Sequence, residues 1–290
     1  MFGPFVIAYL FLGGCGSGAL FVSSVHSLVF HSKRRRAGRV VDAFHTFRDR
    51  CFLAGFVAVC AGAMCLLADL GRPDRFVLLF LRPTCTYLTF GSFVLALIVV
   101  CSGFLLCANY LYIPWVTTRM KRTAEVLCAA CSAGVAAYTG LFLHGIRAVA
   151  LWDTWALPLL FVFSALSMGI SMCLVMGSFL RDFWLVEAEG ARLRRMHMAV
   201  LVIETGVLAW FVGAGMHGPG AAPASVGLLL DGPLAPWFIG GAMLCGIGAP
   251  FGREAASAFG ISAVAFPLAD ALCIAGGLAL RFCVVCAGLH

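Results

Sequence analysis

An all-α, polytopic membrane bundle of eight transmembrane helices is the fold class this sequence predicts. Three observations carry that expectation. The 290 residues are 62% hydrophobic and only 11% charged, with a mean hydropathy of +1.01, whereas soluble domains carry about 25% charged residues. Eight apolar stretches approach or exceed the roughly 20 residues that a spanning helix needs. Lys and Arg, which favour cytoplasmic loops, are divided unevenly between the two sides. With the N-terminus outside, fifteen of the twenty basic residues fall on the cytoplasmic side. Both termini then lie on the outer (periplasmic) side of the inner, cytoplasmic membrane. The sequence reads as one integral membrane domain, residues 1–290. It has too little polar sequence for a soluble cofactor-binding domain, so chemistry that needs one belongs to another subunit. The net charge of +7 maps onto loops and so reports topology and lipid contact, with no nucleic acid implied.

The expected spans, in order, are 4–30, 51–69, 87–114, 124–147, 157–180, 197–216, 234–251 and 256–281. The first has no positive residues before it, and Lys33-Arg34-Arg35-Arg36 follow it, so it is a retained helix rather than a cleaved signal. Its run Gly13-Gly14-Cys15-Gly16-Ser17-Gly18 lets a helix, or a flat ligand, approach closely. The second ends on Asp69-Leu70-Gly71-Arg72-Pro73, where Pro73 disfavours helix at Arg72. That stretch is either a helix stop with a local ion pair or an acid beside a polar ligand. The fourth carries Tyr138-Thr139-Gly140, hydroxyls that can serve a buried acceptor or a neighbouring helix. The loop from Met216 to Pro233 contains Gly218-Pro219-Gly220 and reads as irregular. The seventh span is the weakest, short and rich in Gly and Pro.

Charge inside a bilayer is costly and marks pairing or function. Glu204 lies about seven residues into the sixth span, Asp270 is expected near the middle of the eighth, and Arg281 closes it. Seven histidines are present. Haem b ligation needs paired ligands on facing helices, and only His144 and His217 sit near matching outer ends, with His26 alone on the other side. Fourteen cysteines lie mostly inside apolar segments, where a thiol acts as a small hydrophobe. Cys283 and Cys286 form a lone pair that either packs or takes part in redox chemistry. No metal site, haem or iron–sulfur cluster is expected in this protein.

Several of these pieces together resemble the NrfD/PsrC family of membrane subunits. They are Leu12-Gly13-Gly14 with Gly16, Asp69-Leu70-Gly71-Arg72-Pro73-Asp74-Arg75-Phe76, and Tyr138-Thr139-Gly140-Leu141-Phe142-Leu143. Trp152, Trp155, Leu157-Pro158-Leu159-Leu160-Phe161, Ser164-Ala165-Leu166 and Gly169 follow, then Gly276-Gly277, Arg281 and Ala287-Gly288. Asp69 brings the sequence closer to the NrfD branch than to the DmsC branch, which has His there.

The resemblance implies a quinone-reactive membrane anchor of a respiratory oxidoreductase complex. It oxidises quinol or reduces quinone (menaquinone or ubiquinone) and is not catalytic for the terminal substrate. It exchanges electrons with a four-cluster ferredoxin-like iron–sulfur subunit, which serves a catalytic molybdopterin or multihaem subunit. The family's pocket would fall near Gly16, Asp69, Arg72, Tyr138 and His144, the last on location alone. Tyr138 would donate to a quinone oxygen and Asp69 would exchange a proton, with Arg72 favouring its anion. The Asn that the family often places on helix one is missing here. The alternative is a secondary transporter or proton-translocating channel working through Glu204 and Asp270, and a third reading is a haem b anchor.

Overall fold

The computed structural model describes residues 3–32, 38–69, 87–111, 114–180, 183–258 and 267–288. Arg72 and Pro73, from the predicted site, lie outside these residues. The architecture is all-helical: α1 (Pro4–Ser32), α2 (Gly38–Asp69), α3 (Tyr87–Tyr110), α4 (Thr118–His144), α5 (Ala156–Ser178), α6 (Glu187–Met216), α7 (Ala222–Leu230), α8 (Ala249–Ala258) and α9 (Leu268–Cys286). A π-helical segment, Pro236–Gly248, runs directly into α8. Among the described residues, α1 to α6 and α9 contain the seven helices long and apolar enough to cross a membrane. The π-helical segment with α8 occupies the place of the expected seventh span.

The helices overrun the apolar stretches on the side rich in Lys and Arg, called here the basic end. α2 begins at Gly38 rather than 51, and α6 at Glu187 rather than 197. Backbone hydrogen bonding does not stop where the hydrocarbon does, and Arg and Lys are good helix formers. Three local expectations need correction. The Met216–Pro233 loop holds a helix, α7, because Val226 and Leu229 can be buried. Asp270 stands in the first turn of α9, since that helix starts at Leu268 rather than at 256. Arg281 lies inside α9, which continues to Cys286.

α1 is the hub, packed on α2, α4, α5 and α9. Its glycines make this possible. A Cβ on Gly18 would lie 1.9 Å from the Ala165 carbonyl oxygen, and one on Gly169 would lie 2.2 Å from Gly18 C, so α1 and α5 cross backbone to backbone. Without a hydrophobic driving force between helices in lipid, such close van der Waals contact is the main source of association. α5 also touches α4, α6 and α9, and α9 packs along the π-helical segment. There, a Cβ on Gly276 would fall 2.1 Å from Gly246 Cα.

Candidate functional site

At the end of the bundle away from the basic loops, Tyr138 of α4 is almost wholly buried, at 2% exposure. Its ring lies where a side chain at position 91 of α3 would be. A Cβ there would come within 2.2–2.4 Å of three ring atoms, so only Gly91 admits the ring. α1 adds Tyr9, also 2% exposed. Its phenol points at that of Tyr138, close enough to donate to it, and its hydroxyl has no other hydrogen-bond partner among the described residues. Thr139 donates back to Ala136 O at 2.8 Å, so its hydroxyl is spent within its own helix. A buried hydroxyl left unpaired costs about 1–3 kcal/mol. The Tyr9–Tyr138 pair is therefore short of an acceptor.

The other predicted residues are placed less uniformly. Asp69, the last residue of α2, is exposed and sits by the start of α1, where a Cβ on Gly3 would be 3.2 Å from Asp69 Oδ1. Six residues, about 9 Å of helix rise, separate Gly3 from Tyr9, so α1 links the two. His144 is half-buried and anchored. Its Nδ1 donates to the Trp152 carbonyl at 3.1 Å, and its ring lies 4.8 Å from that of Trp155. It ties the 145–155 connection to α4. Gly16 packs α1 on α2, since a Cβ there would lie 2.8 Å from Val59 N and 2.9 Å from Gly55 O. Tyr9 was not legible as a site residue. The only clue was a lone phenol in the apolar first half of the first span.

A second constellation joins α5, α6, α8 and α9. Arg281 is fully buried. It donates through Nε to Leu10 O at 3.0 Å, and through one Nη to Ser164 Oγ at 3.1 Å and Gly277 O at 3.0 Å. Its other Nη, without a partner among the described residues, occupies the space a Cβ on Gly14 would need, 2.6 Å away. Glu204 is buried beside it, with the Ser164 and Ser167 hydroxyls facing its carboxyl and Oε2 without a close partner among the described residues. Further toward the basic end, His197 is fully buried, with Nε2 3.3 Å from Ser171 Oγ and Nδ1 3.7 Å from Glu254 Oε1. Arg253 bonds both Glu254, at 2.5 Å, and Asp270. His197, Glu254 and Asp270 converge closely enough to hold a cation. The Arg253 guanidinium already supplies the positive charge between the two carboxylates.

A third network closes the basic end. His26 of α1 donates to Glu189 of α6 at 3.0 Å, and Arg192 meets the same carboxylate at 2.5 Å. Ser27 donates to Glu125 of α4 at 2.7 Å, with Arg48 of α2 at 3.7 Å from it. Arg48 and Asn109 both reach Asp49, each at 2.9 Å. Acids and bases are paired across four helices, with the Asn109 amide adding α3, as burial of charge requires.

Apolar helices of membrane length around paired interior charges define a multi-pass membrane protein. Comparison with known proteins carries this further. The family described as Polysulphide reductase, NrfD matches residues 1–290, and the chain belongs to it. It is also similar to the C subunit of polysulfide reductase from Wolinella succinogenes. The two are 29% identical over 311 residues, which cover 98% of this sequence and 92% of the relative.

Proposed function

We propose that this protein is the membrane anchor and quinone-reactive subunit of a respiratory reductase complex in the cytoplasmic membrane. Family membership and the similarity to a polysulfide reductase C subunit support a membrane subunit of such a complex. The observation that carries the quinone reading is the buried Tyr9–Tyr138 pair, which among the described residues has one hydroxyl more than it has acceptors. A quinone oxygen is such an acceptor, and apolar walls with a few placed polar groups suit a ring and tail. Menaquinone or ubiquinone would supply the two-electron, two-proton chemistry.

The protein's own residues then have distinct tasks. Tyr138, held against Gly91, donates to one quinone oxygen, and Tyr9 takes the place of the Asn missing from helix one. Asp69, exposed at the end of α2, passes a proton to and from water. Gly16 sets the α1–α2 spacing, and His144 fixes the neighbouring connection. Electrons pass to a four-cluster ferredoxin-like subunit and on to a molybdopterin or multihaem catalytic subunit, which sets the terminal substrate.

The test is quinol-dependent turnover of the assembled complex. Tyr138→Phe, Asp69→Asn and Tyr9→Phe should each slow it about 10-fold or more, as expected for loss of a positioned proton-handling group, with subunit content unchanged. Unaltered quinol oxidation in Tyr138→Phe and Asp69→Asn would overturn the placement of the pocket.

A further inference from the structure

One face of α2 forms an open groove on the outside of the bundle, with a volume of about 470 Å³. Arg50, Ala54, Val57 and Ala61 line it, at the intervals that keep residues on one face of a helix. Met172 and Met176 of α5 supply the other wall. Leu12 of α1, which adjoins α2 at Gly62, stands at the far end. The volume lies within the range of small-ligand sites.

The groove is apolar except at its basic end, where Arg50 stands. Arg50 marks headgroup level, since the apolar stretch of α2 begins at the next residue, Cys51. From Arg50 to Ala61 the helix rises about 16 Å. Half of a hydrocarbon core about 30 Å thick is about 15 Å. The groove is therefore as long as one leaflet is deep.

Arg50 is poised for an anion. It is exposed, and it donates through one Nη to the Phe179 carbonyl, just past the end of α5, at 3.1 Å. That bond sets the guanidinium between α2 and α5. Among the described residues Arg50 has no ion pair, because the adjacent acid, Asp49, is taken by Arg48 and Asn109. Its other N–H donors remain, in the planar fork that matches phosphate oxygens.

We propose that the groove binds an anionic phospholipid of the leaflet at the basic end. The phosphate accepts from Arg50, and one acyl chain lies along the α2 alanines between Val57 and the two methionines. The alanines leave room for the chain, and unbranched Met side chains adapt to its bends. A quinone has no charge to meet Arg50, and its carbonyls would find no donor deeper in the groove. A spanning helix of another subunit would need contact beyond Leu12, where the groove ends. The chain seals the seam between α2 and α5, beside the α1–α2 contact at Gly16. None of this depends on the quinone reading.

The experiment is native mass spectrometry of the whole complex, delipidated in detergent and titrated with phosphatidylglycerol or phosphatidylcholine. The parent should hold one phosphatidylglycerol per copy of this protein about fivefold more tightly than phosphatidylcholine, the weight of one cation beside anionic lipid. Arg50→Gln should abolish that preference, and Arg50→Lys should keep part of it. Ala54→Phe fills the floor but retains the cation, and it should expel this lipid whatever its headgroup. A benzoylphenylalanine placed at position 57 should crosslink to phospholipid in the membrane. Parent-like retention of phosphatidylglycerol in either Arg50→Gln or Ala54→Phe would overturn the proposal. So would crosslinking from position 57 to another polypeptide in place of lipid.

Discussion

At the scale of single residues, glycine decides what the functional side chains can do. Tyr138 is buried because position 91 has no side chain, and Arg281 fits inside α9 because position 14 has none. Gly91→Ala places a methyl 2.2–2.4 Å from the Tyr138 ring. It should therefore mimic Tyr138→Phe, slowing quinol-dependent turnover although no polar group is removed, and parent-like turnover would count against the pocket. Arg281 is the strongest buried-charge case. Its truncation leaves Ser164 and the Leu10 and Gly277 carbonyls without their donor, and breaking a buried charged network costs about 3–5 kcal/mol. Arg281→Ala should thus lower the thermal unfolding midpoint in detergent far more than Arg192→Ala, whose side chain is partly exposed. Equal midpoints would contradict the structural part assigned to Arg281. From sequence alone, Asp69, Glu204, Asp270 and Arg281 stood out because charge is rare in apolar segments, and Tyr138 through its Tyr-Thr-Gly motif. Tyr9 and His197 did not, since their partners come from other helices.

At the scale of elements, α1 and α5 meet along small residues. Gly18 and Gly169 face one another with no space for a Cβ on either. Gly18→Leu must separate the two backbones, and overpacking of a tight interface costs roughly 1–3 kcal/mol or more. The expected outcome is a lower unfolding midpoint. Gly206→Leu provides the comparison, because nothing lies within 4 Å of a Cβ there; it should be close to neutral, and equal losses in the two would refute the packing argument. The glycine run in α1 was visible in the sequence, and both helix contact and a flat ligand were open there. Gly16 and Gly18 serve helix contact. Their partners, Val59, Ala165 and Gly169, lie far away along the sequence, which no local pattern reveals. The start of α9 was misjudged for a related reason. Hydropathy counts apolar residues on both sides of a break and does not see where a helix begins.

At the scale of the whole molecule, seven helices among the described residues are long and apolar enough to cross a membrane; with the π-helical stretch and α8 as an eighth crossing the termini would share a side, and the loop charges predict that side to be outside. Reporter fusions at the N- and C-termini should both register the periplasm, while a reporter inserted after Arg194 should register the cytoplasm. Termini on opposite sides would require one segment, the π-helical stretch with α8 above all, not to cross. Composition and the placement of charge were enough for the class of the molecule, its approximate spans and the candidate carriers of charge. Those follow from composition and from the high free energy of charge in hydrocarbon, which act on each segment separately. Only the tertiary structure decided which charges meet. It set Tyr9 against Tyr138, seated Arg281 in the notch at Gly14, and laid serines of α5 against both His197 and Glu204 of α6. The physical reason is that helices in lipid associate through close packing and interhelical hydrogen bonds. These depend on the rotation of each helix about its axis and on neighbours distant in the sequence, and hydropathy carries neither.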